Sequence, residues 1–455
     1  MAIQYQRGQK LTIRLEKMVA GGVALGRLPD QRLVFVKDGA PGEEAEVALT
    51  RIKSNFAEAQ FVRTNQPSLD RVEAPFAAAA LAGANWHYLA YAAQLQAKEE
   101  ILAETLEKIG KLTKSPIEPI VASANQWRYR NKVELTFGLD GDRVALGFHK
   151  PGSFDQIMPT NDVALFPEIS QAIIQAITEW ANHEYLTVYE PRRQTGLLRN
   201  LVIRRAEHTA DLLINLVTSP GSIPVASLLT AVDPVPISGL IWSQNRSAAT
   251  IVRVDEAEIL LGRPTIEEHF VDQPIQYGFD SFFQTHTSMA EQLAEGLLGQ
   301  LAKLNPSLVI DGYGGVGTFG LLAAAAGASV VSIESHPASS KDAEDNAQRL
   351  GQIERMTFIN EPMEHFLTTQ DLKFQPRDSV LIVDPPRAGL HPKALKAILA
   401  SKIQDLLYVS CNPATLARDL LLFTSDSLPF TPILIRPFDL FPQTPHLETL
   451  VQLRR

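Results

Sequence analysis

Cysteine is nearly absent from the chain: Cys411 is the only one among 455 residues. That scarcity excludes an internal disulfide and argues against a metal or iron–sulfur site built from the cysteines of one chain. Long hydrophobic runs are missing as well, and no stretch reaches the ~18 uncharged apolar residues of a membrane-spanning helix. The opening MAIQYQRGQKLTIRLEK has neither the apolar core nor the small-residue cleavage site of a secretory leader. A cytoplasmic protein without membrane contact is the expectation. An excess of positive charge is also lacking: 42 Lys and Arg stand against 51 Asp and Glu, a net charge of −9. Taken alone this speaks against a nucleic-acid partner, because phosphate binding relies on Lys and Arg. The cations are clustered, however. WRYRNK at 127–132, Arg192–Arg193 and Arg204–Arg205 could each line a local basic face.

An apolar content of 45% is enough for a sizeable core, and the length suggests several domains. Residues 3–62 read as short strands. LTIRLEKM alternates apolar and polar residues, a Gly-Gly turn follows, and further runs are punctuated by Gly, Pro and Asp. A small barrel is predicted, of a kind that commonly binds RNA or otherwise serves as a structural appendage. TNQPSLDRVEAP at 64–75 reads as a linker, and a helical period begins at about Tyr88. Between 124 and 275 the runs KVELTFGL, RVALGFH, LVIRRA and DLLINLVT look like strands, broken by the helical PEISQAIIQAITEWANHE, so a mixed α+β unit is expected. From about 276 strands and helices alternate, which predicts a doubly wound, mostly parallel sheet. The divisions are placed at 1–63, 64–275 and 276–455.

Three motifs of the last unit carry chemistry. LVIDGYGGVGTFG sets Asp311, Gly312, Gly314, Gly315 and Gly317 between an apolar strand and a helix. Glu334 falls at the tip of the next strand, where ribose hydroxyls are commonly bound. A dinucleotide enzyme is one rival, but an acid opening the loop suits an uncharged or cationic ligand better than a pyrophosphate. S-adenosylmethionine, with its sulfonium and amino group, fits. SVLIVDPPRAGL holds Asp384 and Arg387 at the carboxyl end of a strand, stiffened by two prolines. YVSCNPATLARDL at 408–420 places Cys411 at the same edge, with Asn412 as cap and Pro413 as first residue of a helix. A helix N-terminus stabilises a thiolate, although buried structural cysteines are common too. Beside a methyl donor, a cysteine has a specific use. Thiolate addition at carbon 6 of a pyrimidine makes carbon 5 nucleophilic, and a base must later remove the carbon 5 proton. FPQTPHLETLVQL offers His446 and Glu448, of which Glu448 is preferred. Methyltransferases acting on exocyclic amines or proteins present an Asn or Asp-Pro-Pro-Tyr/Phe motif and need no cysteine, whereas DPPR is found here.

Together DSFFQTHT (280–287), DGYGGVGTFG (311–320), IVDPPRAGL (382–390), YVSCNPATLARDL and TPHLETLV (444–451) resemble the RNA 5-methyluridine methyltransferase family. The N-terminal unit resembles the TRAM domain of its ribosomal-RNA members, and GLLRNLVIRR and WRYRNKVE resemble the family's central domain. The resemblance implies a TRAM or OB-like β-barrel, a central α+β domain and a C-terminal Rossmann-like methyltransferase domain. It implies an S-adenosylmethionine-dependent enzyme that methylates carbon 5 of uridine in RNA. The 23S ribosomal RNA is favoured. A transfer-RNA enzyme or a catalytically vestigial RNA-binding protein are the alternatives. It further implies Cys411 as nucleophile, Glu448 as proton acceptor, Gln284, Tyr313, Glu334 and Asp384 at the methyl donor, Phe282 beside the target base, and Arg130 and Lys132 on RNA. A monomer is expected. Many members bind a four-iron, four-sulfur cluster through cysteines. Here Ala84, Leu81, Ala77 or Phe76, and Val163 stand at those places, so no cluster is expected.

Overall fold

The computed structural model describes residues 4–150, 152–369, 378–425 and 429–455, so the first three residues of the opening stretch lie outside it. Among these residues the alternating N-terminal segment closes on itself. Strands β1 (Lys10–Val19), β2 (Val23–Arg27), β3 (Leu33–Lys37), β4 (Glu44–Ile52) and β5 (Phe56–Gln66) form a closed barrel in the order β1-β2-β3-β5-β4. Ile13, Leu15, Val34, Val36, Val47 and Leu49 fill its interior, and closure leaves no strand edge to aggregate. The turn after β1 needs its glycines: Gly22 has φ +78, and a side chain there would stand 2.7 Å from the ring of Pro445. The barrel therefore touches the catalytic half of the chain.

Helix α1 (Tyr91–Lys108) starts three residues after the predicted Tyr88. Tyr88 and Leu89 do not join it because they fold with Trp86 into the barrel core. Ala97 and Ile101 on α1 pack on the barrel, whereas Leu102 and Leu106 pack on the C-terminal sheet. The helix thus bridges two units.

The middle of the chain is a seven-stranded sheet of β6 (Lys132–Asp140), β7 (Arg143–His149), β8 (Ile157–Pro159), β9 (Leu198–Arg205), β10 (Leu212–Thr218), β11 (Gly239–Gln244) and β12 (Glu256–Gly262), in the order β12-β11-β10-β9-β6-β7-β8. Helices α2 (Ile169–His183) and α3 (Val225–Val232) cover it through Ile173, Ile177, Trp180 and Leu228. A hairpin, β13 (Thr265–Phe270) and β14 (Gln273–Gly278), contributes Ile266, Phe270, Ile275 and Tyr277 to the core of the following unit.

That unit is a second seven-stranded sheet: β15 (Leu308–Gly312), β16 (Ser329–Ile333), β17 (Met356–Ile359), β18 (Ser379–Val383), β19 (Asp405–Ser410), β20 (Thr431–Phe438) and β21 (Glu448–Arg454). Its order is β17-β16-β15-β18-β19-β21-β20, parallel from β17 to β19 and antiparallel at β21 and β20. Both faces are covered, which explains the continuous apolar strands. On β18, Val380 and Ile382 point into the layer shared with α4 (Thr287–Leu304) and α5 (Thr318–Ala325). Leu381 and Val383 point the other way, toward α7 (Met363–Thr369), α8 (Pro392–Ala400) and α9 (Pro413–Thr424). Helix α6 (Pro337–Arg349) follows β16. The chain leaves β15 in one direction and β18 in the other, and in such sheets a crevice opens between them at the carboxyl ends.

Candidate active site

A cavity of about 840 Å³ lies at that carboxyl edge. Four successive strand ends and one strand start supply its walls. β15 delivers Tyr313, Gly314 and Gly315, β16 delivers Glu334, β18 delivers Asp384 and Arg387, and β19 delivers Cys411. β21 runs antiparallel, so its first residue, Glu448, arrives at the same edge. Phe282 and Gln284, from the segment between β14 and α4, face them.

The glycine turn is shaped locally. Tyr313 takes φ +65 and Gly317 φ +88, conformations that side chains rarely adopt. A Cβ on Gly314 would stand 2.4 Å from the Ser332 hydroxyl, so any side chain there would have to displace that group. Gly315 N–H donates to Glu334 Oε2 at 3.0 Å, which ties the loop to the tip of β16. Asp311, the acid expected to favour a cationic ligand, is buried and accepts from Gly320 N–H at 2.9 Å instead. It braces the start of α5 and does not line the cavity; the acids that do are Asp280, Glu334, Asp384 and Glu448.

Electrostatics follow from burial. Asp384 accepts from Gln284 Nε2 at 3.1 Å, yet burial and the neighbouring Asp311 push its carboxyl up to about 7. Burial, with a smaller push from Glu334, raises Asp311 to about 7 despite the Gly320 amide. Glu448 is 2% exposed, and its Oε1 has no hydrogen-bond partner among the described residues. Burial and Asp384 hold it well above the ordinary carboxylate range. Asn412 caps α9 as predicted, accepting from Ala414 N–H at 3.1 Å, with Pro413 as first helical residue. The expected thiolate stabilisation at Cys411 does not follow. Burial, Glu448 and Asp384 push the thiol up to about 11, and they outweigh Arg387. His446 is driven down to about 4 by burial and by Arg387, whose Nη2 lies 3.2 Å from His446 Nδ1.

The residues expected on RNA separate. Phe282 is 62% exposed at the cavity mouth. Arg130 lines the cavity, and its Nε has no hydrogen-bond partner among the described residues. Lys132, two residues along on β6, is not brought to the cavity and pairs with Glu134 at 2.5 Å. The basic clusters are mostly engaged. Arg204 is buried and donates to the carbonyls of Phe279 and Ser281, shaping the turn that presents Phe282. Arg192 pairs with Asp155 at 2.6 Å and Arg193 with Glu190 at 3.2 Å. Phe441, beside His446, also lines the cavity; it opens the stretch FPQTPHLETLVQL, from which only His446 and Glu448 are singled out in sequence.

The places where the family resemblance implies cluster cysteines are apolar. Ala84 and Leu81 pack with Tyr129 and Leu165, Phe76 rests on the Trp127 ring at 5.0 Å, and Val163 lies in the central core. These side chains do not fit an iron–sulfur cluster, which requires thiolates.

The donor set does fit a nucleoside with a positive centre: carboxylates at Glu334 and Asp384, an amide at Gln284, an aromatic ring at Tyr313 and a glycine turn open to close approach. Strand order and site together define a Rossmann-like methyltransferase domain. Comparison with known proteins agrees. Residues 237–455 match the family model described as tRNA (Uracil-5-)-methyltransferase, and residues 4–62 match the TRAM domain. An uncharacterised RNA methyltransferase of Thermosynechococcus vestitus is 34% identical over 99% of both chains. Another, of Porphyromonas gingivalis, is 33% identical over 97% of this chain and 99% of its own. Among solved structures, the tRNA (uracil-54, C5)-methyltransferase of Pyrococcus abyssi in complex with S-adenosyl-L-homocysteine superposes with a TM-score of 0.76. It is 26% identical and covers 97% of this chain and 100% of its own. The chain belongs to the RNA (uracil-5-)-methyltransferase family and is an S-adenosylmethionine-dependent RNA methyltransferase. Among the described residues no helix is long and apolar enough to cross a membrane.

Proposed function

We propose that the enzyme methylates carbon 5 of a uridine in 23S ribosomal RNA through a covalent adduct at Cys411. The observation that carries this reading is the meeting of Cys411, Asp384, Glu448 and the glycine turn in one cavity. Gln284, Tyr313, Glu334 and Asp384 hold the donor, which supplies an electrophilic methyl group on a positively charged sulfur. Phe282 stacks on the uracil at the mouth, as flipped-out bases are commonly held, and Arg130, which lines the cavity, takes a phosphate.

Burial and the carboxyls of Glu448 and Asp384 keep the proton on the Cys411 thiol. The donor's positive charge beside it, with Arg387, favours the thiolate, whose proton passes to solvent, and likewise favours the ionised form of Glu448. The sulfur then adds to carbon 6, and the electrons of the carbon 5–carbon 6 bond pass toward the carbonyl at carbon 4. Carbon 5 of that enolate takes the methyl group as the sulfur–methyl bond of the donor breaks and the donor leaves as a neutral thioether. Glu448 removes the carbon 5 proton, the carbon–sulfur bond breaks, and the ring double bond returns with Cys411 as thiolate. Arg387 can only donate to His446 Nδ1, so the neutral imidazole carries its hydrogen on Nε2. His446 therefore offers an N–H toward the uracil, not a lone pair, which leaves proton removal to Glu448.

The ribosomal target rests on the TRAM-type barrel, a feature that the family's ribosomal-RNA members share. The transfer-RNA reading draws on the Pyrococcus abyssi neighbour and stays the second one. We also propose a three-part organisation, 1–63, 64–275 and 276–455, in which β13–β14 lends its apolar face to the catalytic core. The test is a methyl-transfer assay with isotopically labelled donor on purified 23S and transfer RNA. The expected product is 5-methyluridine in 23S RNA, lost with Cys411→Ala. Label confined to transfer RNA overturns the target, and activity surviving Cys411→Ala overturns the chemistry.

A further inference from the structure

The segment 439–447, between β20 and β21, brings Phe441 and His446 to the cavity and leads directly into Glu448. Its polar groups are gripped from outside the catalytic sheet. Lys98 Nζ donates to Asp439 Oδ1 at 2.5 Å and to the Phe441 carbonyl at 3.1 Å, and both charged side chains are fully buried. Gln94 and Gln443 exchange two hydrogen bonds: Gln94 Nε2 to Gln443 Oε1 and Gln443 N–H to Gln94 Oε1, each 2.9 Å. Trp86 N–H donates to the Gln443 carbonyl at 2.8 Å, and Tyr129 Oη donates to the Pro442 carbonyl at 3.0 Å. Gln443 itself takes φ +64, a conformation that needs such support.

A buried ion pair is rarely the most stable filling for its space; matched apolar residues often do as well or better. What Lys98 adds is direction, because an ammonium with two fixed acceptors sets where the chain runs. We propose that Lys98, with Gln94, is a positioning residue for proton removal: it holds the 439–447 segment so that Glu448 faces carbon 5 of the adduct. The inference rests on the covalent reading above. Cys411 stands on a different strand, so loosening the segment spares addition and methyl transfer and slows elimination. Carbon 5 then keeps its proton, the carbon–sulfur bond stays, and the methylated adduct accumulates.

The test is a single-turnover reaction with ordinary uridine-containing RNA, stopped in denaturant and resolved for protein–RNA adduct. Lys98→Met is compared with Lys98→Met/Asp439→Leu, which leaves no unpaired buried charge, and with Gln94→Met should both misfold. The expected result is turnover reduced by about a hundredfold, the scale of a misplaced reacting group, with methylated adduct persisting and donor affinity unchanged. Unchanged turnover, or slowed turnover without adduct, overturns the inference. The covalent reading is tested apart from it, on the wild-type enzyme with 5-fluorouridine RNA, where no adduct at all would sink that reading.

Discussion

Glu448 and Asp384 are carboxyls whose neighbours make ionisation hard, and each leads to a measurable consequence. Asp384 sits at about 7 in the fold against an ordinary value near 4. A raised carboxyl means that the folded state binds the proton more tightly than the unfolded one. Its contribution to stability is full below the ordinary value and is lost as pH rises through about 7. The ligand-free Asp384→Asn variant should therefore melt above the wild type at pH 8, by about 1–4 kcal/mol of stability, and match it at pH 4. The opposite holds for donor binding. If the ionised Asp384 receives the donor, calorimetric affinity falls as pH drops below about 7, and Asp384→Asn flattens that dependence. Glu448→Gln keeps Cys411 and the donor site, so it should form adduct with ordinary RNA and fail to release it. Release at the wild-type rate would assign the base elsewhere. Asp384 was legible because it ends an apolar run just before two prolines, and Glu448 because it opens the apolar run of the last strand. The raised thiol of Cys411 was not. The helix end is visible in sequence, but the two carboxylates that oppose it come from other strands.

At the scale of elements, the parallel strands were readable because burial on both faces makes each one an unbroken apolar word, as in SVLIV. The turns after them were readable because only glycine, proline or a capping side chain suits them. Asn412 shows how much a cap does here. It accepts from Ala414 N–H and donates through Nδ2 to the Arg387 carbonyl at 3.0 Å. Asn412→Ala should cost about 1 kcal/mol of stability, as caps commonly do. It should lower methylation by more than the lost stability explains, because the Arg387 carbonyl keeps only its bond from the Thr415 hydroxyl. A methylation rate that falls only with the folded fraction would contradict this. Gly317 starts α5 at φ +88, and a Cβ would stand 3.1 Å from both Leu321 and Ala343. The start of α1 was misplaced for a physical reason: Tyr88 continues the helical period, but the barrel core competes for it and for Trp86.

Over the whole molecule, the contacts that matter most join residues hundreds of positions apart, and no periodicity reports them. Lys98 and Asp439 look like ordinary surface charges in the sequence. Only α1, lying between barrel and catalytic sheet, brings them together. The apolar seat of Ala84, Leu81, Tyr129 and Leu165 likewise joins segments that are not neighbours in the chain. Because it is packed with hydrocarbon, activity should survive purification in air and treatment with an iron chelator, with iron far below one per chain by elemental analysis. Stoichiometric iron, or activity lost to the chelator, would contradict the packing described. Ala84→Asp should destabilise the fold by about 2 kcal/mol or more, the cost of burying an unpaired polar group.

The account stands on a bond between Cys411 sulfur and a uracil ring. Incubation with S-adenosylmethionine and RNA containing 5-fluorouridine, followed by nuclease and protease digestion and mass spectrometry, reads it directly, because fluorine cannot leave carbon 5 as a proton. The predicted result is one peptide spanning Cys411 that carries a methylated fluorouridine adduct. An unmodified Cys411 peptide, with methyl groups still transferred to carbon 5 of ordinary RNA, would contradict it.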